Sequence, residues 1–257
     1  PRIGRWADME HAYRTMDKPF MESVWWVFKQ IYDKGLVYED YRSMHICPRC
    51  ETTLSQQEVA EGYKEVKDIS VTVKFELVDE PGTFMIAWTT TPWTLPGNVA
   101  AAVNPEAVYA KFKWAGELYI AAKTSLHKFP GEIIEEFPGK DLVGKAYKPP
   151  FDYYFKDTTL KNHKNGWKMY AADFVTSDSG TGIVHIAPAF GEDDMALGKK
   201  ENLPFIQHVG MDGIFKSEVK DFIGMEAKPR SDDDKVRLGT DIAILEYLQD
   251  NGTFFSK

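Results

Sequence analysis

The chain has 257 residues, 43% of them hydrophobic, and a formal net charge of −8. That is enough apolar content for one large domain, or for a main domain with a small satellite. The acidic balance excludes a protein that grips nucleic acid mainly through a basic surface of its own, so any such contact is local or assisted. No apolar run approaches the roughly 18 residues of a membrane span and no basic-then-apolar leader opens the chain, so a cytosolic setting is the default and no membrane partner is expected. Pro1-Arg-Ile-Gly-Arg-Trp6 carries no initiator Met and Ser256-Lys257 no terminal signal, which suggests an excised fragment.

Phe20, Val24, Val27, Phe28 and Ile31 fall at helical spacing. They predict an amphipathic helix capped at Asp17, stopped at Gly35, with its Met and aromatic stripe packed in a core. Ile46-Cys-Pro-Arg-Cys50 holds the only two cysteines, Cys47 and Cys50, at a spacing that turns both thiols toward one metal. This is half a tetrahedral zinc site, and the missing ligands would come from His45, another histidine, water or a segment outside the chain. A redox pair and bare structural thiols are the other readings, although the strand-to-helix setting of a thioredoxin-like pair is missing.

From Ile69 the period becomes two, with Ile69, Val71, Val73, Phe75 and Leu77 facing one way, a strand with one wet face. Thr83 to Trp88 alternates likewise and runs into Trp88-Thr-Thr-Thr-Pro-Trp-Thr-Leu-Pro-Gly-Asn98. Pro92 and Pro96 restrict the backbone on both sides of Trp93, as suits a fixed loop that holds hydroxyls in place. Val108 to Trp114, a turn at Ala115-Gly116, and Leu118 to Ala122 form a hairpin signature. Residues 128–168 read as loops and edge strands. Short runs at Phe151 to Phe155, Met169 to Val175 and Gly182 to Ile186 complete a pattern of many short strands, which predicts a closed or nearly closed β-barrel. Asp241 to Asp250 reads as a short amphipathic helix.

The second polar cluster is Ser177-Asp-Ser-Gly-Thr-Gly-Ile-Val-His-Ile-Ala-Pro-Ala-Phe-Gly-Glu-Asp-Asp194. Gly180 and Gly182 permit close backbone approach and could present amide donors to an oxygen. His185 sits on an otherwise apolar strand, and Asp193 and Asp194 suit the first turn of a helix. The fold class is mainly β with peripheral helices, divided into a helical connecting segment (1–45), a partial zinc-knuckle lobe (46–66) and a β-barrel domain (67–257).

Together these motifs resemble one family. Gly4-Arg-Trp6, Phe20-Met-Glu-Ser-Val-Trp-Trp26, Trp88-Thr-Thr-Thr-Pro-Trp-Thr94, Gly180-Thr-Gly-Ile-Val-His185 and Ala187-Pro-Ala-Phe-Gly-Glu-Asp-Asp194 are similar, in order, to the editing domain (connective peptide 1) inserted in the class I catalytic domain of isoleucyl-tRNA synthetases. Related valine and leucine enzymes usually carry an Arg before the proline and an acid after it, where this chain has Thr91 and Trp93. Phe190 departs from the histidine common at that position in many bacterial members. The HIGH-type and KMSKS-type peptides of adenylate chemistry are absent, so the resemblance implies no synthetic activity and no need for ATP. It also implies a zinc whose second cysteine pair lies downstream of this chain.

What the resemblance implies for chemistry is hydrolysis of the aminoacyl ester of Val-tRNA(Ile), with no cofactor for the editing step. Its partners would be the valine-bearing 3′ end of tRNA(Ile) and the remainder of the synthetase, and the fragment itself would be a monomer. Asp194 would hold the ammonium of the misattached amino acid, and His185 and Trp93 would line the side-chain pocket. Thr90, Thr94 and Asn98 would position the ester, ribose or water, with Thr89, Thr91, Gly180 and Gly182 around the substrate. Thr90, His185 and Asp194 are the residues placed closest to the chemistry. Two alternatives stand beside this reading: a valyl-tRNA synthetase editing domain that clears threonine, and a tRNA-binding module without catalysis.

Overall fold

The computed structural model describes all residues except 1–3, 5, 7, 9, 130 and 177–179. Arg5 of the first quoted motif and Ser177-Asp-Ser179 of the second polar cluster therefore lie outside the described residues. The chain divides into two compact units, Pro1–Tyr41 and Arg42–Lys257, so the cysteine knuckle goes with the β-rich part.

The first unit is built on helix α1, Lys18–Asp33. It begins after Asp17, whose side chain makes no capping bond, and ends before Gly35, which takes a φ of 69°. The expected core packing of its stripe is overturned. No residue of α1 is buried, and Trp25 and Trp26 are 68% and 64% exposed. A lone helix offers no second layer within its own unit against which to bury a stripe.

The second unit opens with the hairpin β1 (Ile46–Cys47) and β2 (Thr52–Thr53), followed by α2 (Gln56–Glu61). Ser55 and Glu58 form a reciprocal capping box at the start of α2. Then come β3 (Val71–Leu77), β4 (Thr83–Thr89), a 3-10 turn at Pro92–Gly97, β5 (Ala100–Val103), β6 (Val108–Trp114) and β7 (Glu117–Ala122). Next are β8 (Glu132–Pro138), β9 (Tyr147–Lys148), β10 (Met169–Ala171), β11 (Ile183–Ile186) and α3 (Glu192–Lys200). The chain closes with α4 (Asp234–Arg237), α5 (Gly239–Asp250) and β12 (Phe254–Ser256).

One sheet runs β12-β3-β4-β7-β6-β8 with β9 added beside β3, and a second, smaller sheet runs β10-β5-β11. Among the described residues the two do not join into the closed barrel that the strand pattern predicts: β8 and β12 end the larger path, and β5 pairs within the smaller sheet. Pro92 and Pro96 supply the reason, because a residue without an N–H cannot extend the β4 ladder. The chain turns away at Thr89 and enters the other sheet instead. Phe151 to Phe155 forms turns where a strand was expected; Phe151 stacks on Tyr247 of α5 with ring centroids 4.7 Å apart. The run at Met169 stops being a strand after Ala171.

The main core lies between the sheets. Val71, Val73, Phe75 and Leu77 of β3 are fully buried, and Tyr147 meets Phe75 edge-on at 5.3 Å. Each such side chain contributes about 1.5–3 kcal/mol by leaving water. The face of β3 expected to be wet is partly covered, since the Lys74 ammonium lies 4.8 Å from the Phe84 ring centroid and 3.1 Å from Glu117. Among the described residues no helix is long and apolar enough to cross a membrane.

Candidate active site

A cavity of about 350 Å3 opens between the end of β4 and the strand β11 with the turn that follows it. Thr89, Thr90, Thr91 and Thr94 line one side, and Gly180 to His185, Ala187, Phe190 and Asp194 line the other. Two stretches about 90 residues apart thus form one site because β11 pairs with β5, the strand that directly follows the threonine turn. His185 sits opposite Ala101 in that register.

The hydroxyls form a chain. The Thr91 N–H donates to Thr89 Oγ1 at 3.1 Å, Thr89 Oγ1 and Thr91 Oγ1 lie 3.2 Å apart, and Thr91 Oγ1 and Thr94 Oγ1 lie 3.4 Å apart. Thr94 Oγ1 donates its proton to the Thr91 carbonyl at 2.8 Å, and it also lies 2.8 Å from His185 Nε2. With the single hydroxyl proton committed, Thr94 can only accept from the ring, which fixes His185 as the Nε2–H tautomer. Nδ1 is then a bare lone pair, buried and without a protein partner among the described residues. Burial pulls the His185 pKa down to about 4, so the imidazole is neutral near pH 7. Thr90 is exposed on the cavity, and no protein group is bonded to its hydroxyl among the described residues.

Asp194 stands in the first turn of α3 beside Glu192 and Asp193. Its Oδ1 accepts the Ala187 N–H at 2.7 Å, which ties the helix start to the end of β11. Burial raises the carboxyl pKa, and the Ala187 N–H opposes that rise. A partly desolvated carboxylate with one oxygen engaged is a site for a cation that brings its own hydrogen bonds.

Other expected site residues fall elsewhere. Asn98 is part of the core: its Oδ1 accepts from Tyr147 Oη at 2.7 Å, its Nδ2 donates to the Ala100 carbonyl at 2.9 Å, and its own carbonyl takes the Trp167 indole N–H at 3.1 Å. It does not line the cavity. Trp93 points away as well, with its indole edge-on to Phe190 at 5.2 Å on a neighbouring cavity lined by Met44, Ile46 and Val209. Gly180 and Gly182 line the site with φ of 65° and 72°. The close approach they allow is to the protein itself, since a Cβ on Gly182 would sit 2.4 Å from that of Ala122, and one on Gly180 would sit 3.1 Å from Trp88 Cε3.

Sequence reasoning missed Phe174 and Thr176 as lining residues; Trp88 and Val184 fall within the two stretches read as facing walls but were not singled out as site residues. Trp88 was legible as an aromatic at a strand end, being 39% exposed. Phe174 lies at the end of the run read as a strand, past the point where β10 stops, and Thr176 just beyond it, so neither carried a signal of a site. The cysteine knuckle is held by its own backbone: the Cys47 carbonyl accepts the N–H groups of Cys50 and Glu51 at 3.2 and 2.8 Å, and backbone N–H groups of Cys50 and Arg49 hold the Cys47 thiol below its ordinary pKa. Two cysteines so held suit thiolate ligation. Among the described residues no third His, Cys, Asp or Glu joins them.

The profile of class I tRNA synthetases (I, L, M and V) matches residues 1–243, and the chain belongs to that family. Within it the sequence is similar to isoleucine-tRNA ligases: it is 43% identical to that of Bacillus thuringiensis over 99% of this chain and 47% identical to that of Chlamydia trachomatis serovar L2 over 87% of it. These relatives agree with the resemblance that the motifs carry. The chain spans 23% and 22% of their lengths. Its fold is similar to the editing domain of the cytosolic leucyl-tRNA synthetase of P. knowlesi, with a TM-score of 0.50 and 12% identity over 75% of this chain and 98% of that one.

Proposed function

We propose that this chain hydrolyses the aminoacyl ester of Val-tRNA(Ile), releasing valine and sparing isoleucine. The observation that carries the reading is the cavity itself, in which a partly buried carboxylate, a threonine hydroxyl without a protein partner among the described residues and a neutral imidazole face one small space. Asp194 takes the ammonium of the amino acid, offering the oxygen that Ala187 leaves free. That charge-assisted contact sets the ester toward the threonine wall. Thr90, with its hydroxyl unengaged, holds the attacking water or the ester carbonyl. Water adds to that carbonyl, the ribose oxygen departs with a proton, and valine and the free tRNA end remain.

Among the described residues no side chain in the cavity is a strong base at neutral pH, so rate comes mainly from positioning. The need for such a site follows from pocket energetics, since one methylene is worth only about 1–3 kcal/mol of discrimination. The zinc reading of Cys47 and Cys50 stays a proposal, with the remaining ligands supplied from outside this chain. The reaction itself requires neither zinc nor ATP.

Replacing Asp194 by Ala tests the assignment. Removing a charged hydrogen-bonding partner worth about 1.5–3 kcal/mol lowers kcat/KM for Val-tRNA(Ile) by about 10- to 150-fold. Hydrolysis within two-fold of the unaltered chain would remove Asp194 from the site.

A further inference from the structure

His208 lies outside the cavity, yet it is completely buried directly behind the threonine turn. Its Nε2 is 2.9 Å from the carbonyl oxygen of Trp93, a residue 115 positions away. The local backbone explains the contact. In a 3-10 turn the Trp93 carbonyl would accept from the N–H three residues on, but that residue is Pro96, which has none. A buried carbonyl deprived of its turn partner needs another donor, and the imidazole is that donor.

The ring has no freedom to leave. Phe190 meets it edge-on at 4.7 Å and Phe215 stacks on it at 5.6 Å. Its remaining edge lies against Gly97, where a Cβ would come within 2.4 Å of Nδ1, so only glycine closes the turn here. One imidazole thus holds the turn both at Trp93, by a hydrogen bond, and at Gly97, by contact. Thr94 lies between those points and supplies the acceptor that sets the His185 tautomer.

We infer that His208 is a positioning residue for this site: its neutral imidazole replaces the N–H that Pro96 lacks, fixes Thr94, and through Thr94 orients His185 toward the cavity. The inference rests on the hydrolytic reading above. It also requires the uncharged ring, because a proton on Nδ1 would face Gly97 with no acceptor. Burial accordingly holds the His208 pKa down to about 4, and the charged or titratable groups whose fields couple to it are Lys216 and His185.

Two variants of the chain separate this role from simple packing. His208→Phe keeps an aromatic ring between Phe190 and Phe215 but removes the donor, whereas His208→Gln returns a donor. With Val-tRNA(Ile) as substrate, at a temperature where both variants are folded, His208→Phe should lower kcat about ten-fold with KM within two-fold, and His208→Gln should recover most of the loss. The hydrogen-bonded Nε2 proton of His185, seen by NMR in the unaltered chain, should exchange away in His208→Phe and persist in His208→Gln. Wild-type kcat together with a protected His185 proton in His208→Phe would overturn the inference. Should His208→Phe fail to fold, the acid limb of the rate decides: with Asp194 and His185 titrating in both chains, one proton fewer in His208→Gln than in the unaltered chain supports the role, and the same number in both refutes it. An unaltered chain inert on Val-tRNA(Ile) would sink the hydrolytic reading, and the His185 proton alone would then decide whether the clamp exists.

Discussion

The threonine turn and the cysteine knuckle are both short, both carry a proline and both concentrate reactive side chains, yet the fold treats them oppositely. The knuckle is held by bonds within its own few residues: Cys50 and Glu51 donate to Cys47, and Leu54 donates to His45. Cys50 is exposed. The threonine turn depends on imidazoles 91 and 115 residues away, and Thr94, Leu95, Pro96 and Gly97 are buried. A motif that satisfies its own polar groups can sit at the surface. One that leaves donors and acceptors open must be completed by tertiary structure.

Acid should separate the two regions most. His185 and His208 have native pKa values of about 4, below the ordinary 6.5, so the unfolded chain binds protons that the folded chain refuses. The stability they contribute is complete above pH 6.5 and is lost as the pH falls toward 4, by roughly 2 kcal/mol per imidazole between pH 7 and 4.5. Asp194 titrates in the opposite sense, its raised pKa returning some stability in acid. Urea unfolding across this range, compared between the unaltered chain and His208→Gln, should show a shallower acid loss in the variant; equal slopes would contradict the buried neutral ring.

Thr94→Val is the next largest change. It keeps the shape but leaves the buried His185 Nε2–H without an acceptor, at a cost of about 1–3 kcal/mol. Thr94→Ser should restore most of that in the same denaturation experiment. At the other extreme, replacing Cys47 and Cys50 together by Ser in metal-free protein should change stability by less than about 0.5 kcal/mol, as surface substitutions usually do. A larger loss on thermal melting would show that the knuckle supports the β unit, and the contrast between the two regions would fail.

Much of the fold was legible. β3, β4, the β6–β7 hairpin and α5 follow directly from periodicity and turn residues, because each buries one face and the period reports which. The barrel was not, since closure depends on which strand edges meet, and the pattern within a strand carries no record of its neighbours. The α1 stripe shows the same gap: amphipathicity establishes that a face is apolar, and not that its own unit supplies a layer to cover it. At the site, Thr90, His185 and Asp194 were singled out from residue types and resemblance, and they do share one cavity. Asn98 and Trp93 sit in the same stretch but turn to other partners, Tyr147 and Phe190, because successive residues of a tight turn point in different directions.

The sequence by itself determined the strand and helix periods, the proline-limited turn, the placement of the chain among class I synthetases and the pairing of two polar stretches as one site. Only the tertiary structure decided which hydroxyl is free, which nitrogen of His185 carries the proton, and that His208 serves the turn at all. The reason is physical. Composition and period record what each segment must bury, whereas hydrogen bonds between residues 90 or more positions apart exist only once the sheets have brought them within 3 Å.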